Sequence, residues 1–162
     1  MTDEKNESII NNQYLTFKLA EEVYALDISK VREVLEMINM VKVPNMPVFM
    51  RGVINLRGSV VPVVDLRLKF GMSETEKTID TCIIIVDITV DEEKVMLGVL
   101  ADSVQEVIEL ESSQIEPPPK IGTRLKTDFL KGMGKQNDQF LLILNIDQVF
   151  SAAELLQVQA EV

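Results

Sequence analysis

The chain has 162 residues, 46% of them hydrophobic, a formal charge of −10 and no histidine. Its length is enough to bury roughly 70% of the surface that the unfolded chain exposes, so a single well-cored domain is expected. The acidic balance disfavours general nucleic-acid binding, and the missing histidine removes His-based triads, His-type zinc sites and the commonest general base.

Residues 1–12 are polar, charged and non-periodic, and read as a flexible tail. They lack the apolar core of a signal peptide, and no apolar run approaches the ~20 residues of a spanning helix, so a cytosolic protein without membrane insertion is expected. Tyr14–Leu19 alternates apolar and polar as a half-buried strand, and Glu21-Glu22 turns the chain into a second strand at Val23–Ile28. Ser29 is placed to cap one or two helical turns. Pro44 and Pro47 bracket a loop, and Val48–Arg51 reads as a short helix ended by Gly52. Gly52 to Leu66 reads as a hairpin turning at Arg57-Gly58-Ser59, with Pro62 confining its second strand to an edge or a bulge. A polar connection covers Met72–Asp80. Strands follow at Thr81–Val86 and Val95–Leu100, then a rigid triple proline at 117–119 and a strand at Phe140–Ile146. From Asp147 the chain reads as helical, with Ser151 and Glu154 offering a capping box.

An internal repeat runs through this pattern. Val31–Met37 matches Val104–Leu110 at an offset of 73 residues, which also lays Pro44 on Pro117. At an offset of 80, Phe49–Gly52 falls on Phe129–Gly132, Val63–Leu66 on Ile143–Ile146 and Phe70 on Phe150. Four blocks in the same order predict two similar β units of small-barrel type.

Charge is segregated. Lys42, Arg51, Arg57, Arg67 and Lys69 face one acid, Asp65, between residues 39 and 70, whereas residues 100–119 hold five acids and no base. A second basic run follows at Lys120, Arg124, Lys126, Lys131 and Lys135. Two readings stay open: ordinary solvated surface, or faces of opposite sign suited to oriented association.

Catalytic chemistry has little support. Glu21-Glu22 and Asp91–Glu93 are turn acids without the spacing of a calcium loop, and Arg57-Gly58-Ser59 lacks the glycines and Lys of a phosphate loop. Cys82, the sole cysteine, reads as a small hydrophobe within a strand. Met37, Met40 and Met46 read as core, with adaptable binding as the alternative. Arg57 stands out, because an Arg in a tight turn between apolar strands has a free fork for carboxylates or carbonyls.

Phe17-x-Leu19, Tyr24–Ile28, Val31-x-Glu33-Val34, Val43-Pro44, Pro47, Gly52–Gly58 and Val61–Arg67 together resemble the CheW family of bacterial chemotaxis coupling proteins. The similarity runs from about Tyr14 into the C-terminal helix. Its most specific part is Asn-Leu-Arg-Gly followed by Val-Pro-Val-Val-Asp-Leu-Arg. The same module occurs in the kinase CheA and in CheV, and a CheV- or CheA-derived regulatory domain is the alternative to a free-standing member.

The resemblance implies a mainly β fold of two packed five-stranded β-barrels, pseudo-duplicated, with short helices and a C-terminal helix. The barrels are expected near 13–75 and 80–150 within one domain spanning 13–162, with strand exchange between them left open. It implies an adaptor without catalysis, cofactor or metal. Its partners would be the cytoplasmic tip of methyl-accepting chemotaxis receptors, the regulatory domain of the histidine kinase CheA and further copies in rings, recruiting it to membrane arrays. By position, Val31, Glu33, Gly52 and Arg57 match receptor-contact positions, and Glu36, Thr81 and Ile121 fall where the family meets kinase or ring neighbours. A small carboxylate-dependent enzyme and an unrelated β-barrel binding module are the opposing hypotheses.

Overall fold

Eleven strands, three short α-helices and three single 3₁₀ turns make up the regular structure of residues 12–118 and 127–160, the part of the chain that this computed structural model describes. The strands are β1 (Gln13–Leu19), β2 (Glu22–Asp27), β3 (Val31–Glu36), β4 (Met50–Leu56), β5 (Ser59–Asp65), β6 (Cys82–Val90), β7 (Glu93–Ala101), β8 (Ser103–Glu109), β9 (Ile115–Glu116), β10 (Leu130–Gln136) and β11 (Gln139–Leu144). The helices are α1 (Leu66–Lys69), α2 (Ile146–Val149) and α3 (Ala152–Ala160). One sheet has six strands in the order β8-β1-β2-β11-β10-β9, and the other five in the order β3-β6-β7-β5-β4. The mainly β, two-unit expectation holds, with the two-residue β9 as the sixth strand. The tail assigned to residues 1–12 falls outside the described residues except for Asn12, whose carbonyl accepts from the Leu110 amide at 2.9 Å.

Alternation decides what each strand face does. Val23, Ala25, Leu141 and Ile143 point into one apolar cluster, while Tyr24, Leu26, Leu142 and Leu144 point into another. In the second sheet Ile83, Ile85 and Val63 line an inner cluster, and Ile84, Val86 and Val64 join the same larger core as Tyr24. Each sheet therefore curls around a small core of its own and presses its outer rows against the other sheet. That is why Thr81–Val86 reads as a continuous apolar run: both faces are buried.

The sheets do not follow a cut of the chain near residues 75–80. β3 leaves the β1–β2 hairpin to pair with β6, and β8 leaves the β6–β7 hairpin to pair with β1. The five-stranded unit is thus built from residues 31–101, and the six-stranded unit from 13–27 together with 103–144. Each opening hairpin takes its next strand from the other repeat, which is the exchange the sequence left open.

The repeat itself is faithful in backbone detail. The Asp65 amide donates to the Phe49 carbonyl at 2.7 Å, and at the same offset the Asn145 amide donates to Phe129 at 2.8 Å. Gly52 and Gly132 each follow a bulge, and a Cβ on either would lie 2.7 Å from a carbonyl oxygen of the neighbouring segment, Val41 or Glu116.

Four local expectations are corrected. Val48–Arg51 is not helical: a turn at 48–49 leads directly into β4, and Gly52 lies within that strand. β5 is an interior strand despite Pro62. Val53, opposite Pro62, exchanges its backbone hydrogen bonds with Val41 at 3.0 and 2.9 Å, and β7 joins β5 only from Val63, so no ladder bond is missing. Asp27 rather than Ser29 caps the 3₁₀ turn Ile28–Lys30, its carboxylate accepting from the Ser29 amide at 2.9 Å. Ile146 belongs to α2, because Asn145 ends the strand.

Two polar anchors fix the ends of these elements. The fully buried Asp65 carboxylate accepts from Arg51 Nη1 at 2.8 Å, the Thr75 amide at 2.9 Å, Thr75 Oγ1 at 2.8 Å and the Arg67 amide at 3.0 Å. It caps α1 and ties β4 to the polar connection after α1. At the other anchor Lys69 Nζ donates to both oxygens of Glu154 at 2.9 and 2.7 Å and lies within 6 Å of the ring centroids of Phe49, Phe129 and Phe150. The expected capping box is present: the Ser151 amide donates to Glu154 Oε1 at 2.8 Å and the Glu154 amide to Ser151 Oγ at 3.1 Å. Leu155 and Val158 then drop into the shared core.

Removing the Asp65 carboxylate leaves Arg51 and Thr75 without their buried acceptor. Asp65→Ala should cost about 3–5 kcal/mol in urea unfolding, with Asp65→Asn intermediate.

Burial pushes the Glu154 carboxyl up, but hydrogen bonds from Lys69 and the Ser151 amide outweigh it and hold the group below its ordinary value. A depressed carboxyl stabilises the fold fully above its unfolded pKa and loses that contribution as pH falls through the folded one. The stability gap between wild type and Glu154→Gln should therefore be constant over roughly pH 6–8 and close below about pH 4. Urea titrations across that range measure it.

Candidate interaction site

β3 is an edge strand, and a bulge within it decides where its side chains go. Val31 pairs with Val86 and Glu33 with Ile85, so Arg32 is the extra residue. Without the bulge, Val31 and Glu33 would share a face. With it, Val31 packs on the shared core beside Val86, while Glu33 moves to the row of Ile85 and Leu35, at the inner side of the curled sheet. Arg32 is held outside by Asp87, Nε to Oδ2 at 2.7 Å.

The turn between β4 and β5 supplies the partner. Arg57 and Gly58 have φ of 48° and 89°, the left-handed pair of a type I′ hairpin turn. Glycine tolerates this region, but Arg57 does not enter it freely. Asn55 Oδ1 accepts from the Gly58 amide at 2.9 Å and secures the turn. The Arg57 guanidinium then grips both oxygens of Glu33, Nη1 to Oε1 at 3.3 Å and Nη2 to Oε2 closer still. Hydrogen bonding to Glu33, reinforced by its charge, holds the Arg57 pKa above its ordinary value. β3 and β4 are opposite edges of their sheet, so this ion pair spans the line along which the sheet closes.

The other anticipated residues divide. Gly52 is buried in β4 beneath the Val41 carbonyl, a support rather than a surface. Glu36 is exposed at the far end of β3, opposite Cys82. Thr81 is buried: its hydroxyl donates to the Glu76 carbonyl at 2.8 Å and accepts from the Thr78 amide at 2.9 Å, closing the connection before β6. Ile121 lies outside the described residues. The structure brings Glu33 and Arg57 into contact, with Val31 on the same strand. It sets Glu36 and Thr81 together at the end of the β3–β6 pair.

The first basic run is not an open positive face. Arg51, Arg57, Arg67 and Lys69 are paired with Asp65, Glu33, Asp102 and Glu154. Met37 and Met40 pack against the inner core of the five-stranded sheet and Met46 against the shared core, which supports the packing reading. Cys82 is half-buried, its Sγ 3.2 Å from the Asp80 carbonyl.

Sequence reasoning missed several surface features. Val34 and Val60 are exposed on one unit, and Val107 and Phe140 are exposed at the equivalent offsets of 73 and 80 on the other. Their signal was the repeat itself, read for exposure instead of core. A groove of ≈ 980 Å³ lined by Leu19, Tyr24, Arg67, Met72, Met133 and Phe140, among others, shares no residue with the Arg57 pair. Burial, with Glu22 nearby, pushes the Tyr24 hydroxyl far above its ordinary pKa, so it stays protonated. Among the described residues no helix is long and apolar enough to cross a membrane, and no group of three or more His, Cys, Asp or Glu is arranged to hold a metal ion.

A family model described as the CheW-like domain matches residues 13–154. The chemotaxis protein CheW of Klebsiella aerogenes is 32% identical over 146 residues, 90% of this chain and 86% of that protein. The protein of the same name from Helicobacter pylori is also 32% identical over 146 residues, covering 90% and 84%. The crystal structure of the scaffolding protein TtCheW from Thermoanaerobacter tengcongensis matches with a TM-score of 0.78 at 37% identity, over 89% of this chain and 90% of that one. The chain belongs to the CheW-like family and is a chemotaxis scaffold of that kind.

Gly52 supplies a test of support against contact. Its backbone at φ 155° and the Val41 oxygen leave no room for a methyl group. Gly52→Ala should lower stability by about 1–3 kcal/mol and raise amide exchange in residues 38–44, as hydrogen-exchange mass spectrometry would register.

Proposed function

We propose that this chain couples methyl-accepting chemotaxis receptors to the histidine kinase CheA, without catalysis of its own, from a cytoplasmic position at membrane receptor arrays. The observation that carries the reading is the Arg57–Glu33 clasp, a charged fork held at an exposed seam on edge strand β3, whose Val31 and Val34 are only partly buried or exposed. A receptor tip is a helical hairpin, and such a seam can take one of its helices: Val31 and its neighbours supply apolar area and the fork supplies direction. Gly52 contributes by seating the Val41 segment, not by touching the receptor.

The kinase regulatory domain, or another copy in a ring, would meet apolar surface elsewhere. Each unit exposes apolar residues at matching positions, Val34 with Val60 and Val107 with Phe140, so homologous domains could associate through related patches at both ends. Glu36 lies at one such end on the surface. Thr81, facing inward, would act by shaping the 76–81 connection. Ile121 belongs with them by position. Coupling then needs only geometry: an adaptor that binds receptor and kinase together lets a receptor shift bias the kinase equilibrium.

Arg57→Glu places two carboxylates where the clasp was, without touching the core. Binding of a receptor-tip hairpin fragment should fall at least tenfold, while the affinity for the CheA regulatory domain and the melting temperature stay near wild type. Two titrations and one melting curve on the same variant measure this. Equal loss of both partners would count against a receptor-specific role for Arg57.

A further inference from the structure

The two hairpin turns of the repeat are built differently, and the difference isolates one residue. At the offset of 80, Arg57-Gly58 corresponds to Asn137-Asp138, whose φ values of 51° and 62° describe the same left-handed turn. Asn and Asp are among the few residues with a side chain that enter this region readily, and that turn stands on its own chemistry. The first turn instead places an Arg, with its long side chain, where Asn would serve. It also adds a clamp: Asn55 Oδ1 on the Gly58 amide at 2.9 Å. The residue equivalent to Asn55 is Lys135, which has no acceptor to offer. In a type I′ turn the amide of the second central residue is not used by the hairpin ladder, so Asn55 holds a donor that would otherwise be left to water.

We propose that Asn55 is a positioning residue for the receptor contact, a proposal that rests on the receptor reading of Arg57. Asn55 is exposed and has no core role. By fixing Gly58 it locks the left-handed conformation at Arg57 and aims the guanidinium at Glu33 on the facing edge strand. Released from the clamp, the turn relaxes toward conformations that Arg prefers, and the fork is presented to the partner only part of the time.

The test is a cycle of variants titrated with a receptor-tip hairpin fragment and, separately, with the CheA regulatory domain. Asn55→Ala should weaken receptor-fragment binding about three- to tenfold, the size of one hydrogen bond, with kinase-domain affinity and melting temperature near wild type. Asn55→Asp, which keeps the acceptor, should restore binding. In an Arg57→Ala background, Asn55→Ala should cause no further loss. An Arg57→Ala variant that binds the fragment normally would sink the receptor reading itself. If Arg57→Ala binds weakly while Asn55→Ala binds normally, only the positioning role fails. It also fails if Asn55→Ala keeps its full effect without Arg57, if Asp does not rescue, or if kinase affinity and melting temperature fall together with receptor binding.

Discussion

Strands that bury both faces leave a chain with almost nowhere to put polar chemistry, and that constraint shapes the rest of this molecule. Each sheet curls around its own inner cluster and contributes its outer rows to a core shared with the other sheet. Odd and even positions of β2, β5, β6 and β11 are therefore apolar alike. Functional groups are displaced to the places where a strand has an unpaired side: sheet edges, turns and bulges. The Arg57–Glu33 clasp uses all three, joining a turn to an edge strand whose bulge moved Glu33 from the row facing the shared core to the inner row of its sheet.

Positive charge is scarce in a chain of net charge −10, and the structure uses it internally. Arg51 satisfies the buried Asp65 beneath α1, Arg67 reaches Asp102 at the junction of β7 and β8, and Lys69 holds Glu154 at the start of α3 over three aromatic rings. Each cation neutralises an acid from a distant segment. The Arg67 and Lys69 pairs fasten elements that the β ladders do not join, and the Arg51 pair reinforces the β4–β5 hairpin at its bulge. Arg57 differs from them in being mostly exposed, which leaves its fork accessible at the seam.

Duplication let the two units diverge at fixed backbone positions. The same hairpin carries Arg57-Gly58 in one unit and Asn137-Asp138 in the other. The same cap position is a four-fold acceptor at Asp65, whereas the Asn145 side chain makes no cap hydrogen bond. The backbone hydrogen bonds at Phe49 and Phe129 are alike, so geometry was kept while chemistry changed. A scaffold gains from such divergence, because each end can be specified separately without a new fold.

Much of this was legible in the residues. Alternating and continuous apolar runs located most of the strands, the Ser151–Glu154 spacing identified the capping box, and two constant offsets revealed the repeat, because these depend on local backbone chemistry. The family signature pointed to Arg57, and a tight turn between apolar strands already implied an exposed guanidinium. Long-range pairing was not legible. Nothing local tells β3 to join β6, or β8 to join β1, since an edge strand can satisfy its hydrogen bonds on either hairpin and only the packing of both sheets on one core selects between them. The same holds for Pro62, tolerated in an interior strand because Val53 bonds to Val41 instead, and for Thr81, turned inward by its own loop. It holds as well for Glu33, whose meeting with Arg57 required a bulge and the closure of a sheet, neither of which has a signal in the spacing of residues along the chain.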